Sequence, residues 1–346
     1  MIDGTGSFSS RGLRTVAGAV VVCSLAACGG GGGGGGDSAG GGGTVAQPDA
    51  NLLKLSASNY VNSAREVLAA DAQLQGNTNV SSLVTGVDAA QATGTSRFVQ
   101  QQLPRLADWV RAAKSYAVGA TASESYPCSV SGSLLVTATD ANNNRRLDGG
   151  DAVTVVANDC REPNADPMTG TFTITVNAIS GDIDSDKYAV DLSVAFGNLK
   201  FTSVTGAATM AGTVRLINES FGADGYKNSF STDNYNITGD LAGMAYSRVF
   251  TNYASSYAHT GTAPDYRDTL VINGSLLSSH FNNQSVRIST PTPLVSVPGG
   301  LQSGQLLLTG AAGGQVRVSA DGALAALVEF DENGDGNYDT KTTQPW

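Results

Sequence analysis

Histidine is almost missing from this chain: His259 and His280 are the only two among 346 residues. Neither stands in a zinc-ligand spacing, no Ser-x-x-Lys pair accompanies them, and the one Gly-x-Ser-x-Gly match, Gly36 to Gly40, falls inside a glycine run rather than at a strand-to-helix elbow. The common nucleophilic and zinc-dependent chemistries therefore have no motif to rest on. Basic residues are also scarce, 20 against 30 acidic ones. An acidic surface argues against nucleic acid and against electrostatic docking on anionic lipid. Long apolar runs are lacking too: the stretch Thr15 to Ser24 falls short of the ~20 residues that a membrane-spanning helix needs. Cysteine occurs four times, at 23, 28, 128 and 160, without a CxxC motif or a thiolate metal spacing.

What is present begins with an export signal over residues 1–27. Arg11 and Arg14 supply its positive region, the short apolar run follows, and small residues lead to a cleavage site. Leu25-Ala26-Ala27-Cys28 closes it and resembles the bacterial lipobox. The resemblance implies that Cys28 carries a diacylglycerol thioether, that the signal is cut before it, and that the new amino terminus is acylated. Two or three acyl chains make a durable anchor, where one holds only marginally. Gly29 rather than Asp follows the cysteine, which in that family implies the outer membrane. Loss of Asp3, Arg11 and Arg14 with the signal leaves 29 acidic against 18 basic residues, a net −11.

From Gly29 to Gly43, twelve of fifteen residues are glycine. Glycine loses the most entropy on ordering, so residues 28–48 are expected to be a flexible tether. A coil of twenty residues spans roughly 25 Å. No Lys-Ser/Thr follows these glycines, so they do not make a phosphate loop.

Residues 49–120 read as helical. Tyr60/Val61, Ala64, Val67/Leu68 and Leu74 make one apolar stripe, and Val80, Leu83/Val84 and Val87 a second. Phe98, Leu103, Leu106, Trp109/Val110, Ala113 and Tyr116 make a third, with Pro104 kinking it or opening its second half. From about residue 125 the period falls to two, as in Phe172/Ile174/Val176 and Tyr188/Val190/Leu192/Val194/Phe196. Residues 121–346 are thus expected to form one mainly β, antiparallel domain of ten or more strands, a β-sandwich or a curved open barrel. Four apolar–polar–Gly–polar–apolar segments, around Gly132, Gly181, Gly239 and Gly274, read as bending points in long strands. The terminal Trp346 suits a membrane-spanning barrel, but the polar Thr340-Lys-Thr-Thr-Gln-Pro345 before it does not.

Two loops carry chemistry. Asp140, Asn142, Asn144, Asp148 and Asp151 occupy positions 1, 3, 5, 9 and 12 of a segment resembling an EF-hand calcium loop. Arg145 stands where that family has its turn-making glycine. Asp331, Asn333, Asp335, Asn337 and Asp339 repeat the pattern at positions 1, 3, 5, 7 and 9, with Gly336 in the glycine position and Thr342 at position 12. Ca2+ is the expected ion; the alternatives are a polar turn neutralised by Arg145 and Arg146, and an ordinary Asp-Gly turn. Folding the first loop as a hairpin tip sets Asp140 near Asp151, with an index sum of 291 against 288 for Cys128 and Cys160. In an oxidising compartment these cysteines are expected to form a disulfide.

The arrangement over residues 125–346 looks like a group of proteobacterial lipoproteins, a likeness that implies no activity. Asp182, Asp184 and Asp186 read as a solvated turn and His280 as an edge residue. Tyr226, Tyr235, Tyr246, Tyr253, Tyr257 and Tyr266 are either sugar-stacking faces or core. The reading that emerges is a lipid-anchored, non-catalytic binding or structural β-domain, with the membrane, an envelope protein or a glycan as partner. A carbohydrate-active or other hydrolase, and a lipid carrier, are the alternatives.

Overall fold

The computed structural model describes residues 51–76, 94–112, 121–163, 165–183, 185–204, 206–241, 243–322 and 325–345. The signal, Cys28, the tether and the stripe Val80–Val87 lie outside these residues, as do Ala113, Tyr116 and Trp346. Pro48–Trp346 forms one compact unit.

Among the described residues two helices, α1 (Tyr60–Gln75) and α2 (Thr95–Ala112), precede fourteen strands. These are β1 (Thr121–Pro127), β2 (Ser131–Thr139), β3 (Ala152–Arg161), β4 (Met168–Gly181), β5 (Lys187–Ser203), β6 (Gly206–Phe221) and β7 (Gly225–Leu241). They continue with β8 (Met244–Thr260), β9 (Arg267–Ser278), β10 (Gln284–Val297), β11 (Gly300–Thr309), β12 (Gln315–Ala320), β13 (Ala326–Asp331) and β14 (Thr340–Gln344). Each strand pairs antiparallel with its neighbours in sequence, giving one open sheet in the order β1 to β14. Antiparallel neighbours need only short turns between them, and the two-sheet sandwich does not occur. Turns alternate between two rims of the sheet. One rim holds the β1–β2, β3–β4, β5–β6, β7–β8, β9–β10, β11–β12 and β13–β14 turns, and the other holds the long β2–β3 loop.

The sheet curls around α1, and two adjacent residues show why it must. Arg65 Nη2 reaches Gln344 of β14 at 2.5 Å, while Glu66 grips Arg248 of β8 at 2.8 Å. Laid flat at ~4.8 Å per strand, β8 and β14 would stand roughly 29 Å apart, too far for one helix turn to bridge. Inside the curl only Asn62 of α1 is exposed. Tyr60 stacks on Phe330, and Val67, Ala70 and Leu74 are buried. The stripe of α2 packs on the sheet: Phe98, Leu103, Leu106, Trp109 and Val110 are buried, with Phe98 meeting Phe172, Phe196 and Phe201. The helix runs on through Pro104, which lies on its exposed side.

Curling needs local bends, and bulges provide them. At Gly132 (φ +74) a Cβ would lie 2.1 Å from the Asp159 carbonyl oxygen, and at Gly274 (φ +126) 2.5 Å from that of Asn252. Asp159 and Asn252 are themselves left-handed, at φ 49° and 44°, beside register shifts in β3 and β8. These two expected bending points are therefore bulge partners. The other two differ: Gly181 ends β4 at its turn, and Gly239 sits beneath the Tyr246 ring, where a Cβ would be 2.7 Å away.

The outward face is polar. Arg215–Asp191, Lys227–Glu219 and Arg317–Glu329 pair across neighbouring strands, where a membrane-spanning barrel carries an apolar band. The apolar side chains, Phe172, Phe230, Tyr235, Phe250 and Tyr253 among them, point inward and are fully buried.

Candidate functional site

The β2–β3 hairpin has the register its sequence suggests: Thr139 faces Ala152 and Ser133 faces Asn158, each pair summing to 291. A bulge then shifts the register by one, and Cys128 and Cys160 meet with Cα atoms 5.5 Å apart in a disulfide. Glu162 lies close to the two sulfurs. Because those sulfurs are bonded to each other they offer no thiolate, and Glu162 instead accepts from Ser129 Oγ at 2.5 Å.

At the tip, Asp140 and Asp151 are buried. Asp140 accepts the N–H groups of Asn144 and Arg145 at 3.2 and 2.7 Å, and Asp151 those of Ala141 and Asp148, both at 2.9 Å. Asn142 and Asn144 converge on Asp148 at 2.5–3.0 Å. Positions 3, 5 and 9 are thus drawn together, and 1 and 12 face the loop interior through its backbone. Burial, with the charges of Asp148 and Asp140 adding to it, pushes the Asp151 carboxyl up, against the two N–H groups that hold it down. Oxygen donors crowded so that their charges oppose one another are a donor set that suits a hard divalent cation.

The second loop repeats that backbone. Asn143 and Arg145 have φ 60°, and Gly334 and Gly336, at the same positions 4 and 6, have φ 76° and 88°. Arg145 therefore adopts the left-handed turn that glycine makes in the calcium-loop pattern. Asp331 accepts from Asn333, Gly334 and Gly336, Asn333 from Asp335, and Asp335 from Asn337. The Asn337 N–H, with the Asn333 side chain, holds the Asp335 carboxyl below its usual range. Asp339 is exposed and makes none of these bonds, and Thr342 is drawn into β14 opposite Val328. The first loop gathers its donors more completely, although the second matches the sequence pattern better.

A polar cluster that the sequence did not signal lies between α1 and the sheet. Arg248 donates to both Glu66 oxygens at 2.8 and 3.0 Å and to Gln73 at 2.6 Å. Ser278 Oγ donates to Glu66 Oε1 at 2.7 Å, and His280 Nδ1 lies 3.4 Å from the same oxygen. Burial would raise the Glu66 pKa, but His280, Arg248 and Ser278 together bring it down to about 2. Serine, histidine and glutamate thus meet, but not as a nucleophile: a catalytic serine gives its proton to the imidazole. Here Ser278 Oγ gives its proton to Glu66 at 2.7 Å and stands 3.5 Å from His280 Nδ1, and Ser278 is fully buried. The cluster fastens α1 to β8 and β9.

His259 has a partner that its β8–β9 register supplies. It faces Asp268, with Nδ1 2.6 Å from the carboxylate, and its ring is bracketed by Tyr226 and Tyr266 at 5.5 and 5.4 Å. Tyr235, Tyr253 and Tyr257 are fully buried and offer no face to a sugar.

Outside, a depression of about 740 Å³ crosses the bulged centre of β5–β8, lined by Ser193, Arg215, Ser231, Asp233, Asn234 and Asn252. Asp191 holds Arg215 at its rim at 2.5 and 2.9 Å and is itself bonded by Asn177 at 2.9 Å. Ala211, Val214 and Ala254 share the lining with these amide, hydroxyl and charged groups. No protein-family model, curated protein or solved structure matches this chain.

Proposed function

We propose that this chain is an outer-membrane lipoprotein anchored at Cys28, whose curled sheet is a non-catalytic binding or structural domain. Calcium in the 140–151 and 331–339 loops and the Cys128–Cys160 disulfide stabilise it. The observation that carries the reading is the filled interior: α1 is buried along its length inside the curl. The space that a lipid carrier would need is taken by the protein's own helix. The surface free to meet a partner is then the polar outer face, where the Arg215–Asn252 depression suits a hydroxyl-rich glycan or a polar protein surface. The convergent acid, base and hydroxyl groups at Glu66, His280 and Ser278 are consumed in fastening that helix, which speaks against the hydrolase.

Anchoring is tested by labelling cells with palmitate: label should enter the wild-type chain and be absent from Cys28→Ala. Label retained by Cys28→Ala, or missing from both, overturns the anchor. Binding is tested by mass spectrometry of molecules co-purifying with the protein from its own envelope, comparing wild type with Asn234→Ala/Asn252→Ala. A glycan or protein carried by the wild type and lost from the variant is the expected result.

A further inference from the structure

Among the described residues five large apolar side chains are exposed, and three of them share one rim. Val204 (103% exposed), Met244 (71%) and Val130 (54%) all lie at turns of one rim, after β5, at the start of β8 and before β2. Leu135 lies on the outer face of β2, and Phe221, 39% exposed, at the opposite rim. At ~4.8 Å per strand, Val204 at the end of β5 and Met244 at the start of β8 stand roughly 14 Å apart along the rim. Turn tips are ordinarily polar, so three apolar tips on one rim call for an occupant.

The path of the chain identifies that occupant. Residues 51–53 lie on the same rim, pinned between the β9–β10 and β11–β12 turns. Leu53 N–H donates to Ser285 O at 2.8 Å, Ser285 N–H to Asn51 O at 2.9 Å, and Ala311 N–H to Leu53 O at 2.8 Å. Residues 28–50, 23 of them, run from the Cys28 anchor to Asn51. We infer that this rim rests on the lipid bilayer, with Val130, Val204 and Met244 dipping into the interface and the β2–β3 loop turned away from it. The inference rests on the Cys28 anchor. Attachment makes the contact intramolecular, so side chains too few to hold a free protein can still set its orientation. Acidic groups also stand on this rim, Glu162 and Asp166 in the β3–β4 turn and the 331–339 loop in the β13–β14 turn, so the contact is made through Val130, Val204 and Met244, and zwitterionic lipid suits it.

The test uses the full chain, matured in a bacterial envelope and reconstituted in phosphatidylethanolamine–phosphatidylcholine vesicles with brominated acyl chains. One tryptophan is added at a time, at the rim (Val204→Trp) or at the opposite rim (Ala223→Trp), and flotation is measured alongside. The expected result is flotation, with loss of the fluorescence added at 204 and retention of that added at 223. Flotation without quenching at 204, or with equal quenching at both sites, overturns the orientation and leaves the anchor standing. Shielding of 204 by a second copy of the chain overturns the orientation in the same way. Failure to float overturns the anchor, and the orientation with it.

Discussion

Two carboxylates one turn and a half apart on α1 pull acid stability in opposite directions. Glu66 is held at about 2, below its ordinary 4.5, by Arg248, His280 and Ser278 against the burial that opposes them. Its contribution is complete above pH 4.5 and is lost as pH falls toward 2, and is worth about 3 kcal/mol. Glu66→Gln should cost at least that much at pH 7, since it strands a buried guanidinium, as read from urea unfolding. Asp71 behaves inversely. Burial pushes it up to about 6 from 3.8, with Ser255 and Tyr253 only partly offsetting this. Between those values the folded chain binds a proton that the unfolded chain does not, so stability falls as pH rises through that window. Asp71 Oδ2 and Gln75 Oε1, one helical turn apart, are both buried acceptors without a donor. An amide nitrogen at 71 supplies one. Asp71→Asn should therefore raise stability at pH 8 by up to about 3 kcal/mol and change it little at pH 4.

At the scale of elements, the loops and bulges are where the sheet departs from regular pairing. Calcium should raise the melting temperature over chelator, each site adding roughly 2.7 kcal/mol at about a hundred times its Kd. Asp140→Asn/Asp148→Asn should remove most of that rise and Asp335→Asn less, because the first loop gathers more of its donors. An unchanged melting temperature across millimolar calcium would remove the ion from the reading. Gly274→Ala should cost roughly 1–3 kcal/mol of strain, measured by thermal unfolding. Gly243→Ala, also at positive φ but with nothing within 4 Å, separates backbone strain from the clash. Reducing the Cys128–Cys160 bridge, which spans 32 residues, should cost about 3–4 kcal/mol on loop entropy.

Across the whole molecule, the strand region was legible because its side chains alternate between a wet face and a dry one, as Val190 to Phe196 do. The disulfide was legible because a hairpin's register fixes what its ends face. The single curled sheet was less so, since alternation reports that a second layer exists but not whether it is another sheet or a helix. Glu66, Asp71 and Arg248 were opaque for the same reason. Charges on an Ala- and Leu-rich helix read as its solvent side until a strand almost two hundred residues later is found to meet them. His259–Asp268 was hidden only by an unassigned register. Removing residues 51–76 should abolish cooperative unfolding and amide protection in β7–β9 and β12–β14, because both sets of strands rest on α1.

That dependence gives the meander an order of completion. Hairpin after hairpin can zip as the chain emerges, since every strand pairs with the one just before it. Yet the helix made first is gripped by β8 and then by β14, the last strand made. A chain cut short anywhere after β8 would have a good sheet wrapped part-way round a helix with one flank bare. β14 closes that flank, and a protease has only to test for an open flank to tell a chain with β14 in place from one without it.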